Sequence, residues 1–105
     1  MAGGVLATGI VAVAAAASIG LCAVGGAAVE GQRLAGAADA AALAAADSAS
    51  GAVVGVPCER AGELAAEADV ELSACELDGL VATVTVTDRF AGFVVSASAR
   101  AGPPQ

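Results

Sequence analysis

Residues 4–28, GVLATGIVAVAAAASIGLCAVGGAA, are twenty-five consecutive positions without a charge, and their reading decides the fold. Built from Ala, Val, Gly, Ile and Leu, they predict a helix seated in a membrane or in the core of a helical assembly. At about 1.5 Å per residue such a helix is roughly 37 Å long, enough to cross a hydrocarbon core of about 30 Å with some tilt. Two other readings compete: a cleaved secretory signal and a buried helix of a soluble protein. A secretory signal opens with basic residues and carries an apolar run of about 7 to 15 residues. Here no Lys or Arg precedes Arg33, and the run is longer. The retained anchor is therefore the preferred reading.

Outward from this stretch, polarity divides the chain sharply. All fifteen charges lie at or beyond Glu30: eleven carboxylates against four arginines, with no lysine, for a formal charge of −7. That balance argues against nucleic acid or an anionic lipid surface as a partner. Arg33, the basic residue nearest the span, would by itself place the C-terminal side in the cytoplasm. It stands close to Glu30, and the cysteines described below favour an oxidising compartment, so the preferred orientation puts the C-terminal side outside. With two Phe and no Trp or Tyr, the apolar content is mostly Ala and Val, which bury little area each. A core of this kind wants a staple or a partner.

Small residues recur four apart at Ala12, Ala16 and Gly20, and again at Ala27, Gly31 and Ala35. Such spacing lets helix backbones approach closely in lipid. Leu6, Ile10, Val13, Leu21 and Val24 supply a bulkier stripe for lipid or a partner. The helical pattern continues past the polarity boundary through EGQRLAGAADAAALAAAD, residues 30–47, and predicts one long helix to about Ala49. Leu34 and Leu43 fall on opposite sides of it, so this half is either packed among several neighbours or a solvated connector. Asp39, alone among alanines, has three options: pairing with Arg33, pairing with a neighbouring subunit, or solvation.

The segment SASGAVVGVP, from Ser48, should break the helix. Pro57 suits a helix start, and Cys58, Ala61, Leu64, Ala65 and Ala68 make one apolar face of a three-turn helix. Next, Asp78-Gly79 between alternating segments predicts a type I′ hairpin turn. That turn would set Leu77 opposite Leu80, Cys75 opposite Ala82 and Ser73 opposite Val84. Leu80, Ala82, Val84 and Val86 then form the apolar face, and Cys75 joins it. After a loop at 88–92, residues Phe93 to Ala99 alternate as a third strand, and the tail from Gly102 to Gln105 should be extended. The expected division is thus 1–29 for the membrane or assembly helix, 30–49 for its extension, 50–56 for a linker, 57–101 for a small head and 102–105 for the tail.

Cys58 and Cys75 land independently on facing apolar surfaces, which favours a disulfide between them over two buried free thiols. Zinc is disfavoured by the lack of histidine and of a close cysteine pair. Cys22, inside the apolar helix, reads as a small hydrophobe. Catalytic equipment is sparse: there is no His, Lys or Tyr, and no phosphate-cradling glycine spacing. Glu63 with Glu67, or Glu76 with Asp78, could be drawn as an acid pair, but surface acidity accounts for both. No enzyme activity, cofactor or small-molecule substrate is expected.

The run RLAGAADAAALAAA from Arg33 to Ala46, directly after an N-terminal apolar helix, resembles the signature of TadE/TadG-like proteins of the tight adherence (Tad) pilus. Cys58 opening a short helix, Cys75 ahead of Asp78 and Gly79, and a closing Ala-Arg-Ala-Gly-Pro at Ala99 to Pro103 are similar to the short actinobacterial TadE-like branch. In that signature Arg33, Asp39 and Leu43 are the motif positions. One departure is that processed pilins usually carry a glutamate near the mature N-terminus, whereas the first acidic residue here is Glu30. The resemblance implies an α+β pilin-like fold: a long transmembrane or filament-core helix, a loop, a short helix and a three-stranded antiparallel sheet. It also implies a minor pilin or pseudopilin of the cytoplasmic membrane, with one span and the head outside, whose partners are other pilin subunits and the pilus assembly platform. A secreted or membrane-tethered effector of the same layout is the main alternative, and a hydrolase a distant third.

Overall fold

The computed structural model describes residues 2–104; Met1 and Gln105, the outer ends of the first segment and of the tail, lie outside the described residues. Helix α1 (Ala2–Ala49) is followed by helix α2 (Pro57–Glu67) and strands β1 (Glu71–Asp78), β2 (Val81–Phe90) and β3 (Phe93–Ala101). The result is an α+β, pilin-like arrangement. Its 48-residue helix accounts for most of the 76 Å long axis, at about 1.5 Å per residue.

The first half of α1 stands free of the rest of the chain, and the second half is part of the head. Leu34, Ala37, Ala38, Ala41, Ala42 and Ala45 recur at the three- and four-residue steps of a single helix face, and all six are buried. Leu43 lies on the other side and is 57% exposed. Alanine at five of the six buried positions brings the α1 backbone close to the sheet, so the thin core closes with Val84 and Val86 as the large side chains opposite Leu34. Residues 30–49 are therefore a wall of the core and not a solvated connector.

Helix α2 begins at Pro57, where the missing N–H is no loss, and buries Ala61 and Ala65. Arg60 pairs with Glu63 at 2.7 Å on its outer side. The helix stops in a Schellman arrangement: Asp69 takes a left-handed φ of 59°, its N–H donates to Ala66 O, and the Val70 N–H donates to Ala65 O. Val70 is thereby turned into the core.

The three strands form an antiparallel meander in the order β1-β2-β3. Its register corrects the expected one by two residues: Cys75 pairs with Val84 and Leu77 with Ala82, and the strands close at Asp78 opposite Val81. The turn residues are Gly79 and Leu80, with positive φ at Gly79 alone, the sign pattern of type II′. A type I′ turn at Asp78-Gly79 would have forced Asp78 into the left-handed region as well. Because the shift is an even number of residues, Cys75 keeps the face of Ala82, Val84 and Val86. Leu80, expected on that face, instead sits in the turn and is exposed.

Ser73 does not pair with Val84. It is the extra residue of a bulge between Leu72, paired with Val86, and Ala74, paired with Thr85, and its hydroxyl donates to Thr85 O at 3.2 Å. The bulge reverses the alternation, so that Leu72 and Cys75 both face the helices. The expected loop 88–92 also shrinks. Strand β2 runs on to Phe90, and Ala91-Gly92, with φ of 52° and 83°, makes the two-residue connection.

Candidate functional site: a bare apolar helix and the clasp at its base

From Ala2 to Gly25 every residue of α1 is exposed, and the best eighteen-residue window has a mean hydropathy of 2.2. Length and composition make this a candidate single membrane span. The two hydroxyls on it are already satisfied: Thr8 Oγ1 donates to Gly4 O and Ser18 Oγ to Ala14 O, each at 2.9 Å. Bonding back to the preceding turn removes the polar cost that a hydroxyl would carry into lipid. Ala12, Ala16, Gly20, Ala27, Gly31 and Ala35 are all exposed, so the head covers none of the positions with small-residue spacing. Around Gly9 the surface dips between Val5, Leu6, Ile10 and Val13.

Where the apolar surface ends, an ionic clasp fastens α1 to the head. The Arg33 guanidinium grips Glu30 with two bonds, Nε to Oε2 at 3.1 Å and Nη2 to Oε1 at 3.0 Å. Its Nη2 also pairs with Asp88 on β2, and its Nη1 donates to the Ala68 carbonyl at the end of α2, at 2.8 Å. One side chain thus joins three elements at the first charged turn of the helix. The same arrangement corrects the pairing considered for Asp39: it is exposed, and among the described residues it makes no ion pair with Arg33.

The clasp has a pH signature. Asp88 is held below the usual carboxylate range, first by the Arg89 backbone N–H at 2.8 Å and also by the Arg33 guanidinium. Arg33 is held above its ordinary value, chiefly by its bonds to Glu30. A carboxylate with a depressed folded-state pKa contributes stability that is present above its unfolded value of about 3.9 and lost as pH falls through the folded value. Arg33 stays charged throughout that range. We expect the turn end of the β2–β3 hairpin to loosen from α1 only below about pH 4. The protection factors of the Arg89 and Phe90 amides, corrected for the intrinsic pH dependence of exchange, should fall there in the native chain, and Asp88→Asn should show the lowered protection already at neutral pH.

Further out, Cys58 and Cys75 are joined in a disulfide with a Cα–Cα distance of 5.9 Å. It links the first turn of α2 to the middle of β1. Cys22 is free and exposed on the bare helix.

An open groove of about 650 Å³ lies between the α2–β1 turn and β2, lined by Asp69, Glu71, Thr87, Asp88 and Arg89. Its Asp88 is engaged in the clasp. Glu63 is paired with Arg60, while Glu76 and Asp78 are exposed on β1. Among the described residues no three carboxylate or thiol groups converge as a metal site.

The clasp escaped the sequence reading. Glu30 and Arg33 show the helical three-residue spacing, but Asp88 lies 55 residues further on and nothing local marks it. Equally unmarked was the packing of Phe90 on α1, where a Cβ built on Gly26 would lie 3.6 Å from Phe90 Cζ. No family model, curated protein or solved structure matches this chain.

Proposed function

We propose that the protein is a minor pilin or pseudopilin of the Tad type, held in the cytoplasmic membrane by the first half of α1, with its acidic head outside. The observation that carries this reading is the division of α1 itself: about half is bare and apolar, and the other half is the wall of a folded head. A helix exposed in this way must find lipid or other helices. It is long enough to span a bilayer, and its small residues suit close packing against neighbours once it leaves lipid. The mechanism is exchange of surroundings, from acyl chains to the helices of other pilin subunits, at the assembly platform. A disulfide in the head fits the oxidising side of the membrane.

The test is cross-linking in cells that make the pilus. Cysteines introduced at Ala16 or Gly20 in a Cys22→Ser background should form disulfides with cysteines placed in the apolar helices of other pilin subunits. A chain recovered from the membrane without any such product, or found as a head-containing fragment in the medium, would favour a tethered or secreted binding protein instead.

A further inference from the structure

The β2–β3 hairpin runs alongside α1 toward its N-terminus and overshoots the clasp. Asp88 meets Arg33 at the first charged turn, and two residues later Phe90 rests on Gly26. The hairpin tip therefore reaches one turn into the apolar stretch, past the last charge on α1.

The residues at this tip do not suit water. Both phenylalanines of the chain are here, paired across the strands at Phe90 and Phe93. Phe93 is 73% exposed and Val94 67% exposed, although the head has a core in need of large side chains. Charge is distributed to match. On α1 and β2 the charges next to the tip, Glu30, Arg33, Asp88 and Arg89, cancel, while Asp69 and Glu71 stand on the other side of the groove that Val94 also lines.

We infer that the hairpin tip from Phe90 to Val94 is a second membrane contact, seated at the boundary between headgroups and acyl chains in the leaflet where α1 emerges. The inference rests on the anchor reading above. It commits to lipid as the occupant because the tip lies level with the end of the span: whatever surrounds Gly26 also surrounds Phe90 and Phe93. Aromatic side chains are favoured at that depth, and a tip about 5–10 Å below the headgroup level is the usual position of interfacial anchors. Arg89, beside the tip and without an ion pair among the described residues, can reach back to a lipid phosphate. A head held at two points cannot swivel about the α1 axis, so its outer face keeps one orientation to the membrane.

Because the chain has no Trp or Tyr, single tryptophans report position without background. Full-length Phe93→Trp, Val94→Trp, Ile10→Trp and Leu80→Trp chains would each be reconstituted in phosphatidylcholine nanodiscs, one chain per disc. Emission is compared with and without lipids brominated near the headgroup or deep in the acyl chain. We expect the Phe93 or Val94 reporter to lose about half its emission to the shallow bromines and less to the deep ones, at a depth typical of interfacial anchors. Ile10→Trp should be quenched by the deep bromines, and Leu80→Trp, at the opposite hairpin end, by neither. Quenching at Ile10 with both tip reporters as bright as Leu80→Trp would overturn the tip contact and leave the anchor standing. Tip reporters that are shielded only when several chains share a disc would overturn it in favour of a second copy as the occupant. No quenching at Ile10 would sink the anchor and the tip contact together.

Discussion

Replacing Cys58 and Cys75 together by serine is expected to destabilise the head by about 3 kcal/mol, the chain-entropy value for a loop of this size. The two cysteines are 17 residues apart, and the loop between them holds α2 from its second residue on and the first half of β1. The consequence exceeds that of a typical staple because α2 has little else. Its fully buried side chains are Ala61 and Ala65, each worth far less than a buried Leu or Val. Without the bond, α2 should detach first and expose Ala41, Ala42 and Ala45, the part of α1 it helps cover. Hydrogen exchange on the full chain in detergent would show this as lost protection in α2 and weakened protection in β2. Unchanged protection would mean that the alanine interface alone holds the helix.

Leu34→Ala is expected to cost about 2–5 kcal/mol, while Leu43→Ala should stay within about 0.5 kcal/mol. Leu34 is 1% exposed and packs with Ala65, Val70 and Val86 at the junction of α1, α2 and the sheet. The next buried positions along α1 are Ala37 and Ala38, whose side chains are too short to fill the space it leaves. The cavity term should therefore be felt almost in full. Leu43 sits on the outer face, so its truncation removes nothing from the core. Denaturant unfolding of both variants, followed by loss of β-sheet circular dichroism, separates the two directly. Equal effects would place the wrong side of α1 against the sheet.

This pair also shows what a sequence can and cannot disclose in such a chain. The break in polarity at Glu30, the Ser-Gly-Pro linker and the alternation in three strands give the elements and their order, because each is a local signal. Which face of the 30–49 helix is buried is a different matter: with alanine on every side, Leu34 and Leu43 are equivalent until the sheet is in place. The hairpin register failed for a local reason. Asp78-Gly79 and Gly79-Leu80 are both plausible turns, and the second needs only glycine in the left-handed region. The Ser73 bulge carries no mark of its own, yet it lets Leu72 and Cys75 share a face. Cys58 and Cys75 could be paired from their faces alone, since an even shift in register leaves the face unchanged. The clasp and the Phe90 packing needed the third dimension.

Everything above depends on where the first half of α1 resides, and Cys22 is a built-in probe of it. With Cys58 and Cys75 bonded, it is the sole free thiol, and it sits on the surface of the bare helix. In intact membranes carrying the full-length chain, a water-soluble maleimide should leave Cys22 unmodified and should label it once per chain after denaturation in detergent, with the chain resisting alkaline extraction throughout. Rapid labelling without detergent, on a chain that washes off the membrane, would contradict the account.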